Sequence, residues 1–304
     1  MQGRHGIKYV KATFTVVVVV LLVKTFLLTS CFIPFSGMEN SLYKGEGVLV
    51  SKVSYGVRMP FVSLLGYHRW GNCDVKKGDI VLFNNPQPAD NSRSIDLRDI
   101  YISRCVALPG ETIELNEELV PVGNRVFSPN TKDLYVYAAR HDDLLLKTLA
   151  DLDIRDNILS GFTEEGNYIR SFSNYEYYLV TQRVGDSIRF TPLNKRYSHT
   201  IYPLVVPSRS KAVKVYTWNA RLLCNTIVYH EHREAHVVDG HLYVDGQLCH
   251  TYTFSKNYYW MSSNEPENLN DSRLFGFVPE DHIIGRANRI WYPSTRSRFM
   301  RKVE

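Results

Sequence analysis

The chain has 304 residues, 44% of them hydrophobic and 22% charged, with 20 tyrosines, 14 phenylalanines and a net charge of +5. That length is enough for one large core or two modest ones, and the aromatic content suits sheets better than helix bundles. The basic residues are dispersed rather than gathered in a stripe, so no nucleic-acid partner is expected.

Residues Ala12–Val23 read ATFTVVVVVLLV, and after Lys24 the apolar character resumes through TFLLTSCFIPF. As one helix, 12–33 is about 33 Å long, enough for a hydrocarbon core of about 30 Å. Arg4, Lys8 and Lys11 precede it. The expectation is a single-pass anchor in the cytoplasmic (inner) membrane, with residues 1–11 cytoplasmic and the bulk outside. Lys24 can extend its stem toward the outer interface. The alternative is a lipoprotein signal, because Leu28-Thr29-Ser30-Cys31 resembles a cleavage motif that leaves Cys31 lipidated.

From Gly45 onward, short alternating segments are broken by Gly, Pro, Asn and Asp: GVLVSKVSYGV, GDIVLFNNP, YISRCVALPG, ETIEL, HLYVDGQL and RANRIWYP. These read as strands, with Asp245-Gly246 as a hairpin turn. The fold class is mainly β, with antiparallel sheets in two parts of a core (34–119 and 238–304). A mixed α/β insertion or second subdomain (120–237) lies between them, and helices are expected at Asp142–Ile158 and Trp218–His236. Cys31, Cys73, Cys105, Cys224 and Cys249 contain no CxxC pair, which argues against structural zinc. One or two disulfides and unpaired buried thiols both remain open. No cofactor is implied.

Four blocks, in order, resemble the type I signal peptidases, membrane-anchored serine endopeptidases with a Ser/Lys dyad. They are IPFSGMENSLYKGEGVLVSKVSYGVRMP (33–60), KKGDIVLFNNP (76–86), RDIYISRCVALPGETIEL (98–115) and NDSRLFGFVPEDHIIGRA (270–287). The resemblance implies two antiparallel β domains at a membrane surface. It also implies a serine nucleophile activated by a lysine whose pKa burial depresses, and an oxyanion hole. In this chain Gly37 falls on the nucleophile, and Phe35 falls where the family often has an oxyanion-hole hydroxyl. Ser103 replaces the base, Ser263-Asn264-Glu265 stands where the family has Gly-Asp-Asn, and Leu269 falls on the serine that helps orient the base. Asp271, Ser272 and Arg273 match. The groove that receives small side chains maps to Ile33, Pro34, Met38, Leu42, Tyr101 and Ile102, which are either core packing or a retained peptide groove.

Ser36 is an alternative nucleophile one residue away, on the opposite face of an extended segment. Lys44 and Lys52, later in the same block, and Lys76, in the next, offer it no evident base. His230, His232 and His236, with Glu231 and Glu234 between them, form an HxHxxxH pattern. On a helix it could hold a divalent metal, but it also reads as a polar helix end; no metal site is assigned. Arg296, Arg298, Arg301 and Lys302 read as a solvated tail near anionic headgroups. The expectation is a non-catalytic homologue that binds preprotein signal-peptide segments or a partner protein at the lipid bilayer. The alternatives are an active serine peptidase of non-standard arrangement and a structural protein without peptide binding.

Overall fold

A computed structural model describes residues 2–304 except 72, 123–127, 156, 194–199 and 210, with the backbone alone described for 2–10 and 63. The first helix, α1 (Gln2–Leu22), widens through one turn at Val23–Leu27 and passes directly into strand β1 (Leu28–Phe32). The single helix expected over 12–33 is corrected at this end. Ile33 precedes Pro34 and is pushed toward extended backbone, and the residues before it gain a ladder partner in β2 (Gly47–Ser51), with Ser30 opposite Leu49. Among the described residues no helix is long and apolar enough to cross a membrane. Even so, Val16, Val17, Val19, Val20, Leu21 and Leu22 each expose half or more of their surface.

The other elements that position the site are, in chain order, β3 (Ile80–Asn84), β4 (Ile100–Ala107), β5 (Thr112–Leu115), β6 (Lys132–Tyr137), α2 (Asp142–Asp151), β7 (Tyr168–Ser173), α3 (Asn174–Val184), β8 (Tyr202–Val205), α4 (Ala220–Thr226), β9 (Tyr258–Ser262) and β10 (Ile283–Tyr292). The main sheet runs β1-β2-β10-β3-β4-β9 and ends on the short strand Val278–Pro279. Its pairs are antiparallel. β3 is central and buried along its whole length, which is why IVLF is an unbroken apolar run. Ile80 and Leu82 face Val48, Val50, Ile33, Met38 and Leu42. Val81 and Phe83 face the other way, toward Cys105, Met261 and Ile283.

The stretch 120–237 divides between two neighbourhoods. β6 and β7, with Leu159–Phe162 and Thr191–Pro192, form a four-stranded sheet. It shares its own core with α2 and α3, from Tyr135 and Phe172 to Leu145 and Val180. Ser173 caps α3 in a reciprocal box with Glu176. The later part packs elsewhere: β8 pairs with β5, and α4 joins a core containing Leu242, Phe254 and Trp260.

Both expected helices are shorter than the periodicity suggests. α2 stops at Asp151, followed by Asp153 at φ 54°. The helix expected over Trp218–His236 is α4 plus one wider turn ending at Glu231; His232, at φ 54°, then turns the chain into a strand at Ala235–Val238. The hairpin at Asp245-Gly246 forms, with positive φ at both residues (48° and 78°), as its turn type demands. The five cysteines are all free, and of them Cys105 and Cys224 are buried, so the choice left open between disulfides and unpaired thiols falls to the thiols.

Candidate functional site

The positions where the resemblance puts nucleophile, base and orienting residue meet at one turn, Asn268–Asn270. Asn268 lies against Gly37, and its side-chain amide donates to the Ser36 carbonyl. On the other side, the fully buried Ser103 hydroxyl donates to the Asn270 carbonyl at 3.2 Å. Leu269, between the two asparagines, is 53% exposed. Three segments far apart in sequence are thus brought together, with Gly37, Ser103 and Leu269 at the three positions.

Gly37 is fixed from every side. Its φ of +155° is one that L-residues rarely adopt, and a Cβ built there would fall within the Asn268 amide, 2.8 Å from Cγ. Its N–H donates to both Glu39 carboxylate oxygens, at 2.8 and 2.9 Å. Its carbonyl accepts from the backbone N–H groups of Asn264 (2.8 Å) and Glu265 (3.2 Å). The backbone donor that could serve a developing oxyanion at this point therefore faces a carboxylate, the opposite of what that chemistry needs. Ser36 is half-buried, and no lysine or histidine is hydrogen-bonded to its hydroxyl among the described residues.

Sequence reasoning missed Lys132. It is fully buried, its ammonium is 3.4 Å from Glu265, and its backbone N–H donates to the Asn264 carbonyl at 2.8 Å. Burial alone would lower its pKa, but the carboxylates of Glu265, Glu176 and Glu39 outweigh this and raise it. A lysine base needs the reverse shift; here the raised pKa favours the cation among three acids. Burial raises the Glu39 carboxyl, opposed by its hydrogen bonds and by Lys132. In sequence, Lys132 opens an ordinary alternating strand, KDLYVY, and nothing local distinguishes it from a solvated lysine.

The matching Asp271-Ser272-Arg273 block shapes the turn. Asp271 is fully buried and accepts from the Ser263 N–H (2.9 Å) and hydroxyl (3.0 Å) and from the Arg273 Nε. Arg273 donates onward to the Pro266 carbonyl at 2.8 Å and to the Asn268 carbonyl. Ser272 Oγ accepts from the Met261 N–H at 2.8 Å. A lysine cannot reproduce this fork. Arg273→Lys is therefore expected to cost about 2 kcal/mol in urea unfolding, the scale of a hydrogen bond to a charged group.

The six groove positions separate. Ile33, Met38 and Leu42 are at most 2% exposed and belong to the core beneath the sheet, with Ile102 packed against them. Tyr101 is on the other face, its ring stacked on Phe275 at 5.6 Å. Pro34 and Phe35 are exposed. β4 pairs with β3 from Ile100 to Arg104, but with β9 only from Arg104 to Ala107. The second edge of Ile100–Ser103 therefore has no strand beside it among the described residues.

The HxHxxxH pattern does not assemble. His230 is buried edge-on against His282, His232 is exposed, and His236 stacks on Tyr243. No group of three or more potential ligands is placed to hold a metal among the described residues. Burial lowers the pKa of His230, and His282 adds to this. Burial also lowers that of His282, against the attraction of Asp281. Asp281 accepts from His282 Nδ1 at 2.7 Å, while Arg98 Nη1 lies 3.2 Å from Nε2, so the neutral ring has its proton on Nδ1. As pH falls below about 6.5 the unfolded chain takes up two protons that the folded chain refuses. Stability should then fall by up to about 1.4 kcal/mol per pH unit for each histidine. Urea titrations between pH 7.5 and 5.5 test this, and a flat profile would contradict it.

Three distant blocks of an antiparallel β scaffold thus converge on one turn. A family model described as "Signal peptidase, peptidase S26" matches residues 6–176 and 213–292. Signal peptidase I of Buchnera aphidicola subsp. Baizongia pistaciae (strain Bp) is 24% identical over 301 residues, 95% of this chain and 78% of that one. Signal peptidase I of Aquifex aeolicus (strain VF5) is 24% identical over 286 residues, 94% of this chain and 84% of the other. That of Pseudomonas aeruginosa is 30% identical over 116 residues, 37% of this chain and 36% of its own. This chain belongs to the signal peptidase S26 family.

Proposed function

We propose that this chain is a non-cleaving signal peptidase homologue. It holds the signal-peptide segments of exported preproteins, or a membrane partner, in extended form at the outer face of the cytoplasmic membrane. The observation that carries this reading is the environment of Gly37: no side chain, a neighbour's amide where one would project, and a carboxylate on its N–H. The second edge of Ile100–Ser103 offers a peptide main-chain hydrogen bonds by strand addition, with half-exposed Tyr101 on that strand. The exposed apolar surface of α1 supports a seat in lipid, and Arg4, Lys8 and Lys11 support a cytoplasmic N-terminus.

The test uses the full chain in detergent with a preprotein and a photo-crosslinking residue at Tyr101. The expected result is no cleaved product and a crosslinked complex. Cleavage that disappears in Ser36→Ala would establish the active alternative instead. Absence of both product and crosslink would leave only a structural role.

A further inference from the structure

Beside the buried histidine pair, away from the Gly37 centre, lies a cavity of about 490 Å³. It is lined by three side-chain cations, Arg93, Arg98 and Lys256, against one carboxylate, Asp281. That carboxylate is already engaged: one oxygen accepts from His282, the other from Lys256 at 2.8 Å. Arg98 is held rigidly, donating from Nε to the Arg93 carbonyl (3.1 Å) and from Nη2 to the Asn91 side chain (3.0 Å). One Nη1 hydrogen and two Lys256 hydrogens remain beyond these bonds. His230, 4% exposed, also reaches the cavity wall, and its ring makes aromatic contacts but no hydrogen bond among the described residues. A neutral imidazole still offers one N–H donor.

Val62 and Tyr67 also line the cavity, and the segment around them, which includes the one-turn helix Val62–Leu65, exposes Phe61 (64%), Leu64 (82%) and Leu65 (48%). Asp96 binds this segment to the cationic side: one oxygen accepts from the Val62 N–H at 2.7 Å and the other from Arg58 at 2.7 Å. Phe61 keeps φ at 60°, a left-handed conformation uncommon for a bulky residue.

We infer that this cavity is a binding site for a phosphate group, seated among Arg93, Arg98, Lys256 and His230. Several donors from separate elements suit a tetrahedral anion better than a planar carboxylate, which one fork would satisfy. Two sources share that chemistry: the headgroup of an anionic phospholipid, whose acyl chains would lie along these exposed apolar side chains, and a free phosphate.

The test is titration calorimetry on the full chain in non-ionic detergent, with inorganic phosphate in one arm and dihexanoyl phosphatidylglycerol in the other. Arg93 is exposed, so Arg93→Ala is expected to leave the fold unchanged, which its unfolding curve checks. The inference expects binding of phosphate or of the lipid that Arg93→Ala weakens at least fivefold. A lipid source requires the phosphatidylglycerol to bind more tightly than phosphate and Leu64→Ser to weaken only the lipid. A free-phosphate source requires both arms to bind alike and Leu64→Ser to change neither. No heat in either arm, or binding unchanged by Arg93→Ala, overturns the site.

Discussion

A chain carrying Gly37→Ser and Ser103→Lys together is expected to release no product from a preprotein and to unfold earlier than its parent. A serine Cβ at position 37 would enter the Asn268 amide, at a φ where L-residues are strained by about 1–3 kcal/mol. The N–H at that position would still point at the Glu39 carboxylate, so an oxyanion forming there would meet negative charge. At position 103 a lysine would have to fit where a fully buried serine hydroxyl now bonds the Asn270 carbonyl, overpacking that costs about 1–3 kcal/mol more. Adding Asn268→Ala and Glu39→Gln removes the two side-chain obstructions at position 37 and leaves only the backbone strain, so any cleavage should first return in that quadruple variant. The readout is appearance of mature protein on a gel beside an unfolding curve. Robust cleavage by the double variant would show that neither Asn268 nor Glu39 closes the site.

The largest stability loss is expected from Lys132→Met. The thioether side chain is close to the size of the lysine stem, but it leaves the acids of Glu39, Glu176 and Glu265 without the cation that balances them. Removing one partner of a buried ionic cluster costs about 3–5 kcal/mol, which for a chain of this size lowers Tm by about 10 °C. Pairing it with Glu265→Gln should recover part of the loss, because one of the stranded charges goes with it. Unfolding in urea measures both. A loss below about 1 kcal/mol for the single variant would mean that the cluster is solvated and not structural.

The four family-like blocks could be read by resemblance, and the central strand β3 from its unbroken apolar run, because it is paired on both sides and buried along its whole length. The helices were overextended for a common reason. Asp153 and His232 break their helices through left-handed backbone at residues that are not glycine, and sequence marks such breaks weakly. The end of α1 was hidden because strand β1 exists only through its pairing with β2, a contact that hydropathy does not carry. Gly37, Ser103 and Leu269 were legible one at a time by resemblance. Asn268 and Glu39 were not: their roles depend on three segments folding against one another. Lys132 lies still further from sight, since a buried lysine differs from an exposed one only in what surrounds it.

The direct passage from α1 into β1 also decides how the helix is attached. Lys52 ties the turn to the body by donating to the Lys24 and Thr25 carbonyls at 3.0 Å each, and its own N–H donates to the Leu27 carbonyl. The five residues of β1 span about 17 Å and end just before Ile33 and Pro34. With no loop between them, the helix is joined to the Gly37 centre through a paired strand, and the Lys52 bonds fasten the wide turn to that same sheet.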